Sequence, residues 1–249
     1  MANVIRSISQ VGTTEPFELQ VARGQIPGHS VRNIFGFNAA IGTTLTTPWE
    51  LANTTALPIP GSALTFSLVS SSASDTSVSI LVSGVNADYV LTQEVVALDG
   101  TTPVNTTNTY RFINDLITTS GNAVGNVTAS NGGTVYAQIT AGRGKNQCAA
   151  YMVPAGYSYY LTRIDSFSGT ATGASKYVNF RNRTTGSDGR IFNVAQTTFG
   201  SRMDIGRQLP FRVGEKTLLE LQVSTNSTTA DIGVFSDGYL IKEEGPAFA

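Results

Sequence analysis

Apolar and polar residues alternate with period two through most of the chain, the spacing of strands with one wet face. Leu64, Phe66 and Leu68 alternate within 62–70, Val78, Ile80 and Val82 within 77–83, and Tyr110, Phe112 and Leu116 within 109–118. Tyr89–Leu98 is a longer apolar run that stops at the turn dipeptide Asp99-Gly100. Asn86-Ala87-Asp88 reads as a hairpin turn. The clearest block is Gly133–Phe167, in which Gly142-Arg143-Gly144 and Pro154-Ala155-Gly156 cut three strands rich in Val, Tyr, Ile and Leu. From there the pattern predicts eight strands: Thr134–Ile139, Gln147–Met152, Ser158–Phe167, Lys176–Arg183, Arg190–Thr198, Arg207–Val213, Thr217–Ser224 and Asp231–Lys242. Leu219, Leu221 and Val223 alternate with Glu220 and Gln222, so that strand buries one face. Thr185–Gly189 is a glycine-rich hairpin loop without the ligand spacing of a calcium site.

Residues 1–60 lack this regularity. Short apolar pieces are broken at Glu15-Pro16, Pro27-Gly28, Pro48, Pro58 and Pro60, and each proline removes a ladder donor. The segment nevertheless carries Phe17, Ile34, Phe35, Phe37, Trp49 and Leu51, which need a surface to cover them. The expected organisation is therefore all-β. An extended arm spans 1–60. An antiparallel sandwich-like domain spans 61–131, closed by the small polar stretch 119–132. An eight-stranded, jelly-roll-like sandwich spans 132–249. The arm packs on its own body or on a neighbouring copy; the pattern leaves both open.

Composition supports the class. Charged residues make up only 13% of the chain, about half the usual share. Thr, Ser, Asn and Gly take their place, and these are poor helix formers that suit strand faces and turns. The net charge of −1 gives no clustered basic footprint for nucleic acid. The charge is uneven along the chain, with four Lys/Arg against eight Asp/Glu up to Gly132, and twelve against nine after it. Such a split reads as chance and solvation, or as a means of steering head-to-tail contact between unlike halves of neighbouring copies. The start of the chain does not read as a signal peptide, and no apolar run is long enough to span a membrane as a helix. The Asn-Xaa-Ser/Thr sequences, Asn126 and Asn182 among them, then read as by-products of an Asn/Thr-rich chain.

Chemistry-bearing residues are sparse. One histidine and one cysteine, His29 and Cys148, stand more than a hundred residues apart, and Cys148 lies in an apolar run as a small hydrophobe would. The usual zinc ligand sets are out of reach, and so are disulfides. Gly142–Lys145 does not follow a phosphate-binding loop pattern. The carboxylates Glu94, Asp99, Asp165 and Asp204 read as turn and surface groups, so the chain is expected to be non-enzymatic, without metal or cofactor. Surface contact is the expected work. Tyr157 and Tyr159 on one strand, and Arg181 and Arg183 on another, join Phe17, Ile26, His29, Phe35, Phe37 and Trp49 as candidate interface residues.

Three stretches resemble virion structural proteins of tailed bacteriophages, marine ones especially. They are VARGQIPGHSVRNIFGFNAAIG at 21–42, VSGVNADYVLTQEVVALDGTTPVNTTNTYRFINDLITTSG at 82–121, and GGTVYAQITAGRGKNQCAAYMVPAGYSYYL at 132–161. The resemblance implies a non-enzymatic subunit of the virion, repeated by symmetry and often trimeric. It transfers no functional residue. Head-surface decoration or cement is the leading expectation, with the chain itself and other virion proteins, such as the major capsid protein, as partners. The alternative is a tail-fibre or other tail-associated subunit that touches tail proteins and binds a host-surface glycan. A polysaccharide depolymerase working through carboxylates is the remaining enzymatic reading.

Overall fold

The computed structural model describes residues 15–51, 56–169, 177–226 and 229–243. One short helix, α1 (Phe17–Ala22), precedes a long strand, β1 (His29–Ile41). Then come β2 (Ser67–Ser70), β3 (Ser79–Val85), β4 (Leu91–Ala97), β5 (Val104–Asn105), β6 (Phe112–Ser120), β7 (Val127–Asn131) and β8 (Thr134–Ile139). The rest is β9 (Ala150–Met152), β10 (Tyr157–Ser168), β11 (Val178–Gly186), β12 (Ile191–Phe199), β13 (Arg202–Val213), β14 (Thr217–Thr225) and β15 (Ala230–Lys242). The molecule is all-β, as its alternation predicts. Most expected strands fall within a few residues of their place.

The strands form four antiparallel sheets that face each other in two pairs. The first pair is β5-β2-β7-β8 against β4-β3-β6. Phe66, Leu68, Ile80, Val82, Tyr110, Leu116, Val127 and Ile139 fill the space between these two sheets. The second pair is β1-β15-β10-β13 against β12-β11-β14-β9. Its core takes Ile34, Tyr159, Leu161, Ile164, Phe180, Leu219, Leu221, Val223, Ile232 and Val234. Inward residues of strands in opposite sheets thus share one dry layer in each pair, the arrangement of a sandwich.

Two strands sit elsewhere than expected. Thr134–Ile139 belongs to the first sandwich, paired with β7 through the Gly132-Gly133 hairpin, where both glycines take positive φ. The expected boundary at 131/132 therefore falls inside a hairpin. The second sandwich still has eight strands, because β1 takes the vacant place at the edge beside β15, from His29↔Ile241 to Ile41↔Ala230. This corrects the extended arm: 29–41 is a full sheet strand, and 17–22 is a helix. The inward residues Ile34, Gly36 and Asn38 are all buried, but only one is apolar, so the alternation is invisible in sequence. Gly36 is needed there, since a Cβ would stand 2.3 Å from both the Ala149 nitrogen and the Pro48 oxygen. The chain after β1 crosses the second sandwich through bridges Thr46↔Val223 and Trp49↔Cys148. Arm residues 1–14 and the expected end of the fold at 244–246 lie outside the described residues.

The first sandwich covers Leu218 on the outside of the sheet that carries β14, the strap at 42–47 runs along the rest of the strand, and β14 is buried along its whole length. Val85, Tyr89, Phe112, Ala150, Met152 and Leu218 make the apolar contact. Asn114 on β6 copies a strand partner, donating to the Met152 carbonyl and accepting from the Met152 N–H, both at 2.9 Å. Arg32 on β1 grips Asp115 on β6 with two bonds, at 2.5 and 3.0 Å, and Lys145 adds a third at 2.8 Å. The Arg32 guanidinium also lies 4.4 Å from the ring centre of Tyr151. Burial pushes the Asp115 carboxyl up, but Arg32 and Lys145 outweigh it and hold it below the ordinary carboxylate range.

Candidate subunit interface

The strands on one flank of the second sandwich break the rule that apolar residues face inward. β12 is exposed on both faces along nearly its whole length, and β13 through its middle. Among the described residues β12 pairs only with β11, and β13 only with β10, so each ends a sheet. They are consecutive strands in opposite sheets, joined at Gly200-Ser201, and together they form one open side of the sandwich. Phe192 is 65% exposed there, with Ile191 and Val194 also open. Phe192 lies over Gly186, where any Cβ would meet its ring at 2.4 Å.

The register of β13 carries a second irregularity. Leu161 pairs with Phe211 and Arg163 with Gly206, so residues 207–210 face Thr162 alone. The surplus chain bulges outward, and Leu209 at its crest is 83% exposed. Both strands thus leave a large apolar side chain in water, Phe192 on β12 and Leu209 on β13. Arginine surrounds this flank: Arg181, Arg183, Arg190, Arg202, Arg207 and Arg212 stand against only Asp188 and Asp204 within residues 181–213.

A second open strand, β4, lies on the first sandwich. It ends its sheet, pairing with β3, and turns Val95 (60% exposed) and Leu91 outward. Glu94 points the other way and holds the loop beneath, accepting bonds from the N–H groups of Thr107 and Asn108 and from the Tyr110 hydroxyl at 2.8–3.0 Å. The first sandwich is acidic, with Asp75, Asp88, Glu94, Asp99 and Asp115 against Arg111 within residues 61–131.

The expected interface residues divide between surface and core. Trp49 and Tyr159 are buried in their own fold and are removed from any surface. Trp49 bridges to Cys148, and the Tyr159 hydroxyl bonds Ser236 Oγ at 3.0 Å. Their aromatic bulk signalled burial but not against what. Phe17 is exposed on α1 and meets His29 and Tyr239 edge-on, with ring centres 6.1 and 5.6 Å away. Ile26, Phe35, Phe37 and Tyr157 are half-buried on the same body. Arg181 and Arg183 do point outward from β11. Arg181 donates to Gln222 Oε1 at 2.7 Å, and Arg183 lies 3.9 Å from Glu220. The apolar exposure on β12, on the β13 bulge and on β4 was missed. An apolar residue in an alternating strand reads as core, and only the fold reveals that these lack a cover.

No group of three or more metal-ligating side chains occurs among the described residues. Burial pushes the Cys148 thiol up to about 12, which keeps it protonated. Asp165 and Asp204 are tied by Arg163 and Arg202 into an ion-pair ladder across β10 and β13, with bonds of 2.7 Å from Arg163 to Asp204 and from Arg202 to Asp165. A shallow cavity of about 370 Å³ lies on the first sandwich, lined by Thr65, Ser67, Asn105, Ser130, Asn131 and neighbours.

No family model and no curated protein matches the chain. Among solved structures, one of the infectious bursal disease virus Gx strain is similar at 10% identity and a TM-score of 0.22, covering 95% of this chain and 79% of that one. A mutant VP2 protein of infectious bursal disease virus, from derived T=1 particles, is similar at 9% identity and a TM-score of 0.19, over 92% and 79% of the two chains. Likeness at this level carries no argument about fold or function.

Proposed function

We propose that the protein is a non-enzymatic structural subunit of a virion that works by binding copies of itself and other particle proteins. The observation that carries this reading is the pair of open apolar edges, β12–β13 and β4, on a body whose cores are otherwise closed. An exposed sheet edge is a template for pairing with another chain, and apolar patches of this kind mark interaction sites. The resemblance of 21–42, 82–121 and 132–161 to tailed-phage structural proteins supplies the particle. Head-surface decoration or cement, as a homo-trimer, is the finer form of the proposal.

The strand order of the second sandwich supports the same class. We infer a jelly roll, the architecture of many capsid domains. A long hairpin with its tip between β11 and β12 would pair β1 with β15, β9 with β14, β10 with β13 and β11 with β12. All four pairs occur. Rolling that hairpin adds β10 to β15 and β11 to β14, which also occur.

The test is location and copy number in purified particles, by quantitative mass spectrometry and labelling. Hundreds of copies on the head support decoration. A few to dozens on the tail support the tail-associated alternative, and absence from particles overturns the virion reading. The shallow cavity of the first sandwich motivates that alternative, since its mixed lining sets hydroxyl and amide groups of Ser67, Asn105, Ser130 and Asn131 beside apolar Val69 and Pro103, as a host-surface glycan requires. Glycan-array binding that is lost in an Asn105→Ala, Asn131→Ala variant would support it.

A further inference from the structure

We infer that the two open edges meet: β4 of one copy docks on β12 of a second copy, head to tail. This rests on the self-association proposed above and names its two surfaces. Both strands end their sheets and both carry outward apolar side chains, Leu91 and Val95 on one and Ile191, Phe192 and Val194 on the other. β4 spans Leu91–Ala97 and β12 spans Ile191–Phe199, so the two edges are comparable in length. Apart from Asn108 Nδ2, 3.5 Å from the Gln93 carbonyl, the β4 edge has no strand beside it among the described residues.

Charge selects the partner. Acids flank β4 at both ends, Asp88 before it and Asp99 after it, and both are exposed. Arginines flank β12 at both ends, Arg190 before it and Arg202 after it; both are exposed, and each also holds an ion pair within its own copy, with Asp188 at 3.1 Å and Asp165 at 2.7 Å. A β12–β12 contact would bring arginine to arginine and a β4–β4 contact acid to acid, whereas β4 on β12 sets opposite charges at both ends in either strand direction. Two different patches on one molecule make a heterologous contact, which generates a ring where the rotation closes and a filament where it does not.

The test uses the full chain and analytical ultracentrifugation. Wild type is expected to associate, and to associate more weakly as salt is raised. Val194→Asp and Val95→Asp, each alone, are expected to be monomeric with unchanged circular dichroism. An equimolar mixture is expected to form a dimer and nothing larger, because each variant keeps one good surface. Asp88→Lys, in a turn outside the sheet, is expected to weaken association about twofold to fivefold even if Val95→Asp disturbs its strand. An associating wild type whose state is unchanged by both Val95→Asp and Asp88→Lys overturns the docking while leaving the subunit reading in place. A mixture that stays monomeric overturns it as well. A wild type that is monomeric at every concentration overturns the docking and self-association, while location in purified particles still decides the subunit reading.

Discussion

Single side chains decide how closely the layers approach. Gly36 sits where the β1 backbone touches the strap around Pro48 and the start of β9, and a methyl group has nowhere to go. Gly36→Ala is expected to destabilise the fold by about 1–3 kcal/mol or more, measured as a lower denaturant midpoint with unchanged slope. Asp115 is the other critical residue. Removing its charge leaves Arg32 buried without its counter-ion, a change of about 3–5 kcal/mol for buried pairs. Because its folded pKa lies below the ordinary value, its contribution is complete above about pH 4 and is lost as pH falls through the folded pKa. Asp115→Asn is therefore expected to be markedly less stable than wild type at pH 7. The gap should narrow on acidification below about pH 4, in paired urea titrations. Cys148 is half-buried beside Trp49, and burial of its thiol raises its pKa. The roles of Gly36 and Asp115 had no signal, since a glycine in a mixed stretch reads as a break and an aspartate in a strand as solvated.

Strands with large inward side chains were legible, and strands with small ones were not. β14 follows from Leu219, Leu221 and Val223 at every second position and β3 from Ile80 and Val82, while β6 and β15 follow from shorter stretches such as Ile232 and Val234 of β15. β7 buries Val127 and Ala129, yet its Ser, Thr and Asn neighbours read as linker. β1 holds no proline itself, but it was lost between Pro27 and Pro48 and to its inward Gly36 and Asn38. Edges are harder still, because periodicity states which face turns inward and not whether anything lies opposite. The β13 bulge illustrates this: Gln208-Leu209-Pro210 reads as the continuation of a strand but is surplus chain projecting from it. Leu209 touches water rather than core, so Leu209→Ser is expected to leave unfolding within about 0.5 kcal/mol of wild type. If the bulge contributes to the subunit contact, the same variant should dissociate at higher protein concentration in light scattering.

On the scale of the whole molecule, the two sandwiches share an apolar seam, an asparagine that mimics a strand, and a three-membered ion cluster. One calorimetric transition is expected for the wild type. Two transitions are expected for Asp115→Asn, with the first sandwich and the second melting apart. The all-β class was legible, but the sheet to which each strand belongs was not. The first sandwich is inserted between β1 and β9 of the second, and chain order alone cannot reveal that a strand belongs to a sheet completed far downstream.

That insertion also orders events in time. β1 leaves the ribosome early, but its partner β15 follows about two hundred residues later, a delay of roughly 10–40 s at ordinary elongation rates. The first sandwich, whose strands all lie within Ser67–Ile139, can close meanwhile. During that interval β1 waits as an unpaired thirteen-residue strand, vulnerable to other nascent chains. Synthesis of the final strand, rather than of the first sandwich, is the step that makes the subunit safe from misassembly.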